Sequence, residues 1–192
     1  MRLLPLPRVA GLALLAAPFL LTACDSSTGG TPRRAVVTAV QVDDGPLLAV
    51  DGSQWDGSGG GGPEIYFRLY YDGDDIVANP GDDVLNPRDD RFVVNVSNPD
   101  QPWYDDIQSA DFPLVWDIDG GFEVRDLRQG YRIALFDYDP TTSDDAMIST
   151  RAFTFDEEAP TETDGREDTI VLEGVGADQN LVQVRLRLRY ES

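Results

Sequence analysis

The stretch Tyr131-Arg-Ile-Ala-Leu-Phe-Asp-Tyr-Asp-Pro-Thr-Thr-Ser-Asp-Asp145 joins an apolar strand to a cluster of carboxylates. Successive side chains of a strand point to opposite faces, so Asp137 and Asp139 are predicted to leave the strand on the same side. If residues 140–144 turn back, Asp145 joins them. Three carboxylates at one loop repel each other unless a cation lies among them, and such hard oxygen ligands suit Ca²⁺. The alternative is a solvated acidic rim in an aspartate-rich chain.

The composition limits the classes of partner. The 192 residues suffice for about one domain, and the formal net charge is −20. No basic surface is available to release the counterions of nucleic-acid phosphates, so nucleic-acid binding is excluded. The sequence has no lysine, and all its cations are arginines. The excess of aspartate has two explanations, which are a genome that favours acidic surfaces and a metal site.

The sequence also lacks histidine. A Ser-His-Asp triad, a Cys-His pair and a zinc site are therefore excluded in their usual forms. We predict that the chain is not an enzyme. The remaining catalytic alternative is a hydrolase that works with two carboxylates alone.

Residues 1–23 have the layout of a secretory signal peptide. Arg2 and Arg8 precede an apolar run that is too short to span a membrane. The run ends in Leu21-Thr-Ala-Cys24, which resembles the lipobox of bacterial lipoproteins. The resemblance implies that Cys24, the one cysteine of the sequence, is lipidated and anchors the chain in the bacterial cell envelope, on the periplasmic side or the outer surface. The alternative is an ordinary signal peptide followed by a stray cysteine.

The remaining sequence divides into a tether and one domain. Residues 24–34 are polar, rich in turn formers, and predicted to form a flexible tether. Residues 35–192 contain short apolar or alternating runs separated by turn signals, and no window has helical spacing. We predict an all-β, eight-stranded antiparallel sandwich. The expected strands are Ala35–Val42, Ile65–Tyr71, Arg91–Val96, Phe112–Ile118, Tyr131–Phe136, Met147–Phe155, Thr169–Leu172 and Leu181–Tyr190.

The last predicted strand has one apolar and one basic face. Arg185, Arg187 and Arg189 alternate with apolar residues. Pairing of these arginines with acidic residues of neighbouring strands is the main interpretation. The alternative is a groove for an anionic lipid or polymer.

Several segments together resemble the C2 domain, a calcium-dependent lipid-binding β-sandwich of eight strands; two correspond to its calcium loops, and Val36–Val42 and Leu114–Asp117 are similar to two of its strands. Asp137-Tyr-Asp139, with Asp145 six residues later and an apolar pair beyond it, matches the spacing of that family's third calcium loop. Pro63-Glu64-Ile-Tyr-Phe-Arg-Leu69 is similar to the end of its first loop, with Glu64 in an aspartate position. The resemblance covers roughly residues 35–190. It implies a permuted topology, because the spare strand stands at the C-terminus.

The resemblance implies a set of calcium ligands, namely Asp137, Asp139, Asp145, Glu64 and Asp56. Ser58 stands where the family has its other first-loop aspartate, so Asp56 is the nearest candidate and Asp51 the second. Trp55, in the same loop, either inserts into an interface or packs beneath the glycine-rich run.

These observations predict a lipid-anchored, exported C2-like module that binds Ca²⁺ at the loops of one end. That end would engage phospholipid or a protein or polymer of the envelope. The alternative function is a metal-independent structural or adhesion module with an acidic surface.

Overall fold

The computed structural model describes residues 34–55, 61–73, 83–141, 143–157, 167–175 and 181–191. These residues form strands, turns and loops and no helix, which confirms the predicted all-β class. Within this part of the chain there is accordingly no helix able to cross a membrane. The predicted signal peptide, Cys24 and Asp56 lie outside the described residues.

The described residues contain eight strands, as predicted. They are β1 (Arg34–Asp44), β2 (Ile65–Tyr71), β3 (Val93–Asn95), β4 (Leu114–Val124), β5 (Tyr131–Asp137), β6 (Asp145–Ser149), β7 (Glu167–Val175) and β8 (Leu181–Glu191).

The strands form two antiparallel sheets. One has five strands in the order β3-β4-β1-β8-β7, and the other has three in the order β2-β5-β6. The C-terminal strand β8 pairs along nearly all of β1, with Ala35 opposite Tyr190 and Val42 opposite Val184. The predicted sandwich is confirmed, and the place of β8 beside β1 agrees with the permuted topology.

The core lies between the sheets. Trp116 of β4 is fully buried, and its ring meets Phe67 of β2 edge-on at 5.1 Å between centroids. Tyr104 makes a second edge contact with Trp116 at 5.0 Å. The indole Nε1 donates a hydrogen bond to the carbonyl of Pro102 at 2.7 Å, so this buried polar atom is satisfied.

Two isolated bridges occupy the free side of β2. Ile65 and Tyr104 exchange backbone hydrogen bonds of 2.9 Å at one end, and Leu69 pairs with Leu85 at the other. The three-stranded sheet is thus extended by short contacts. The end of β2 nearest Ile65 lies between Tyr104 on one side and β5 on the other.

Strand β4 is longer than predicted. The expected strand ended at Ile118 because an Asp-Gly-Gly run is typical of a turn, yet β4 continues to Val124. Gly120 and Gly121 have φ of 75° and 76°, a region that glycine enters without the usual steric cost. The pairing register with β1 shifts opposite this point, between Val37 and Ala39, so the glycines form a bulge inside the strand.

The basic face of β8 is covered by ion pairs. Arg185 pairs with Asp43 of β1, and Arg187 reaches Asp117 of β4 at 2.9 Å. Arg189 contacts Glu191 of its own strand at 2.8 Å. The main interpretation, pairing with acidic residues, is confirmed, although only Arg185 uses a directly adjacent strand.

Candidate functional site

Strand register brings three of the predicted carboxylates to one end of the strands of the three-stranded sheet. We call this end, with Glu64, Asp137, Asp139 and Asp145, the carboxylate edge. Asp137, the last residue of β5, pairs with Ile65 on one side and with Asp145, the first residue of β6, on the other. Glu64 directly precedes Ile65. Because neighbouring strands lie about 4.8 Å apart, Glu64, Asp137 and Asp145 stand on adjacent positions across the sheet end.

Asp137 connects Glu64, the residue before β2, to the end of β5. Its side chain is 1% exposed, and its Oδ1 accepts a hydrogen bond of 2.8 Å from the backbone N–H of Glu64. The N–H of Tyr138 donates to the carbonyl of Glu64, also at 2.8 Å. The carboxylate therefore has a structural role in addition to any ligand role.

Asp139 and Asp145 differ in exposure. Asp145 is exposed and Asp139 is half-buried. The backbone N–H of Asp139 donates to Oδ1 of Asp144 at 3.3 Å. This bond links Asp139 to Asp144, a residue that is not among the predicted ligands.

That side chain, Asp144, is the most strongly held carboxylate of the loop. Its Oδ2 accepts a hydrogen bond from the Tyr66 hydroxyl at 2.5 Å and from Arg68 at 3.3 Å, and it also pairs with Arg88. Burial and then the Asp144 hydrogen bond raise the pKa of Tyr66. The sequence signal for this contact was weak, because Arg68 lies 76 residues away from Asp144.

The donor chemistry of this edge suits Ca²⁺, but the described residues do not complete a site. Glu64, Asp137, Asp139 and Asp145 are all carboxylates at one end of the sandwich, which is the ligand type that calcium prefers. Among the described residues, no three acidic, cysteine or histidine side chains lie close enough together to hold a metal ion. The first-loop candidate Asp56 is outside those residues.

A shallow cleft of about 430 Å³ adjoins the carboxylate edge. Asp145, Asp51 and the half-buried Trp55 contribute to its lining. Asp51 is engaged in its own turn, since Ser53 donates to it through its hydroxyl at 2.6 Å and its N–H at 2.9 Å, and these bonds lower the pKa of Asp51. The strongly exposed apolar residues near this cleft are Val50, at 71%, and Leu48, at 49%.

Comparison with known proteins found similarity to solved structures alone. No family model and no curated protein matches this sequence. Among solved structures, the chain is similar to a C2 domain of plant extended synaptotagmin 1. The two are 13% identical over 82% of this chain and 98% of that chain, with a TM-score of 0.38.

Proposed function

We propose that the chain is a lipid-anchored, exported binding module that binds Ca²⁺ at its carboxylate edge and engages a membrane or an envelope partner there. The observation that carries the proposal is the register of β2, β5 and β6. It sets the backbone positions of Asp137 and Asp145 opposite each other, with Glu64 one residue before their neighbour Ile65, at one end of the sandwich.

The charge of the protein supports a role for a cation at this edge. A chain with a formal charge of −20 is repelled by anionic lipid or polymer. A calcium ion bound at the edge would supply the local positive charge for such a contact. The exposed side chains of Leu48 and Val50 offer an apolar surface beside the same cleft.

The anchor of the proposed module is the lipid on Cys24. Removal of Arg2 and Arg8 with the signal peptide changes the formal side-chain charge from −20 to −22, because both lost charges are arginines. Strand β1 begins at Arg34, so the tether is about ten residues long and reaches at most roughly 35 Å. The domain would work close to the membrane that holds it.

A calcium titration of the mature domain tests the binding proposal. At a free Ca²⁺ concentration one hundred times the dissociation constant, we expect about 2.7 kcal/mol of stabilisation. For a domain of this size that corresponds to a rise of about 5–10 °C in the thermal midpoint. Magnesium at the same concentration is the control, and an unchanged midpoint in calcium and chelator would refute calcium binding.

The anchor requires a separate experiment. Cells that express the full chain should incorporate labelled fatty acid into it, and Cys24→Ser should abolish the incorporation. Labelling that survives this substitution would disprove the assigned lipidation site.

A metal-independent structural or adhesion module is the second candidate. It is favoured by the arrangement around Asp144, whose charge is met by Arg68 and Arg88 of the same chain. This candidate predicts equal stability and equal partner binding with calcium and with chelator. We propose a non-catalytic role in both cases.

A further inference from the structure

The outer face of the three-stranded sheet contains a buried guanidinium. Arg68 of β2 is 5% exposed. Its Nη1 lies 3.4 Å from Asp83, and its Nη2 lies 3.3 Å from Asp144. The two carboxylates belong to distant segments and are also buried, with side-chain exposures of 6% and 7%. Arg68 therefore joins two buried acidic residues that come from separate segments of the chain, and its charge offsets part of the cost of burying them.

Aromatic rings support this cation. The guanidinium carbon of Arg68 lies 4.2 Å from the ring centre of Phe136 and 5.2 Å from that of Tyr66. The Tyr66 hydroxyl accepts a hydrogen bond from Arg68 and donates one to Asp144. Arg68 is thus fixed by stacking and by hydrogen bonds in one orientation.

Arg88 closes the cluster from the solvent side. It pairs with the same oxygen of Asp144, and its guanidinium carbon lies 4.5 Å from the ring centre of Tyr138. Tyr138 in turn stacks on Trp103 at 4.1 Å. The second arginine comes from the segment that follows Leu85, so the cluster connects three separate parts of the chain.

The cluster reaches the connection between β5 and β6 through Asp144. Oδ2 of Asp144 is bound by the arginines, while its Oδ1 accepts the N–H of Asp139 at 3.3 Å. We propose that Arg68, assisted by Arg88, is a resident cation that fixes Asp144 and, through it, Asp139 without a metal ion. The proposal does not rest on calcium binding at the neighbouring carboxylate edge.

The resident cation holds Asp139 and Asp144 in place before any partner arrives. With Asp144 neutralised inside the protein, Asp139 and Asp145 are left at the edge in a defined geometry. A partner that binds there meets residues that are already positioned, and the entropic cost of binding falls accordingly.

Three variants, all studied in chelator, test this role. Arg68→Met leaves Asp83 and Asp144 buried without their shared cation, and we expect the thermal midpoint to fall by about 6–20 °C. Hydrogen exchange at the Asp139 N–H should accelerate at least tenfold. Adding Asp83→Asn and Asp144→Asn to Arg68→Met removes the two buried negative charges that Arg68 offset, and it should restore most of the midpoint. Arg88→Met should accelerate exchange at Asp139 with a smaller loss of midpoint.

The control is Arg128→Met. Arg128 is 86% exposed and forms a surface pair with Asp156 at 3.4 Å, so its replacement should leave the midpoint and the Asp139 exchange nearly unchanged.

The proposal is overturned if Arg68→Met and Arg88→Met leave Asp139 protected. It is also overturned if the triple variant stays as unstable as Arg68→Met, since the role would then be packing, or if wild-type Asp139 is protected only in calcium. Should Arg68→Met fail to fold, Arg88→Met and the triple variant decide. Because the variants are compared in chelator, a failed calcium titration leaves their outcomes unaffected.

Discussion

Asp137 has two separable roles, and replacing it with alanine distinguishes them. The structural role is to accept the Glu64 N–H at 2.8 Å from a side chain that is 1% exposed. Asp137→Ala leaves that part-buried N–H without its acceptor, and an unsatisfied donor away from water costs about 1–3 kcal/mol. The variant should therefore be less stable by at least this amount in chelator, where no metal contributes.

Calcium should widen that difference if Asp137 is also a ligand. Wild type gains about 2.7 kcal/mol at one hundred times the dissociation constant, and the variant gains little. The gap between the two proteins then grows from about 1–3 kcal/mol to about 4–6 kcal/mol. Urea unfolding of both proteins, in chelator and in calcium, measures the two gaps directly.

Asp145→Ala is the matched control. Asp145 stands beside Asp137 in the sheet but is exposed, so its loss should cost no more than about 0.5 kcal/mol in chelator. An Asp137→Ala gap that is the same in both media would refute the ligand role of Asp137. Undiminished stability of Asp137→Ala in chelator would refute the structural role derived from the Glu64 hydrogen bond.

Three further predictions concern the body of the domain. Trp116→Ala should lower the free energy of unfolding by about 3–5 kcal/mol in urea, because it opens a cavity and strands the carbonyl of Pro102; a loss below about 1 kcal/mol would contradict the assigned core. Burial, followed by the charges of its neighbours, raises the pKa of Tyr131 to about 12, against about 10 in an unfolded chain. The stabilisation that comes from this raised pKa is complete below about pH 10 and is lost as the pH rises towards 12. Tyr131→Phe should therefore flatten the alkaline fall in the free energy of unfolding measured in urea. An unchanged slope would argue against this assignment. Arg187→Gln removes an exposed pair with Asp117 and should change stability by less than about 1 kcal/mol, whereas a larger loss would show that the outer-face pairs are energetically coupled.

Strands with a clear apolar pattern bounded by turn signals could be predicted from the sequence. The predicted bounds of β2 are the observed ones, and those of β8 differ by one residue. Strand β8 follows the two-residue period of a half-buried sheet, whereas β2 is a short, nearly continuous apolar run between turn signals, and six of its seven residues are buried. The end of β4 could not be predicted in this way. Glycines with positive φ occur in turns and in bulged strands alike, and only the facing strand β1 decides between them.

The candidate site was predictable in part for a similar reason. The strand pattern placed Asp137 at the end of β5, and the six-residue spacing placed Asp145 near it. The distinction between Asp144 and Asp145 was not available, because a shift of one residue exchanges the two faces of a strand. The start of β6 at Asp145 fixes that choice, and the partner of Asp144 comes from a strand far away in the sequence.

The edge position of β7 affects how copies of the domain behave when they are crowded on a surface. An exposed edge strand is a template on which a second molecule can polymerise. Antiparallel pairing of two β7 strands about Ile170 would place Glu167 opposite Glu173, and like charges in that position repel. The carbonyl of Glu173 is moreover already bound by the N–H of Arg151 at 3.1 Å. In that register the edge of β7 disfavours the growth of a continuous sheet between neighbouring molecules.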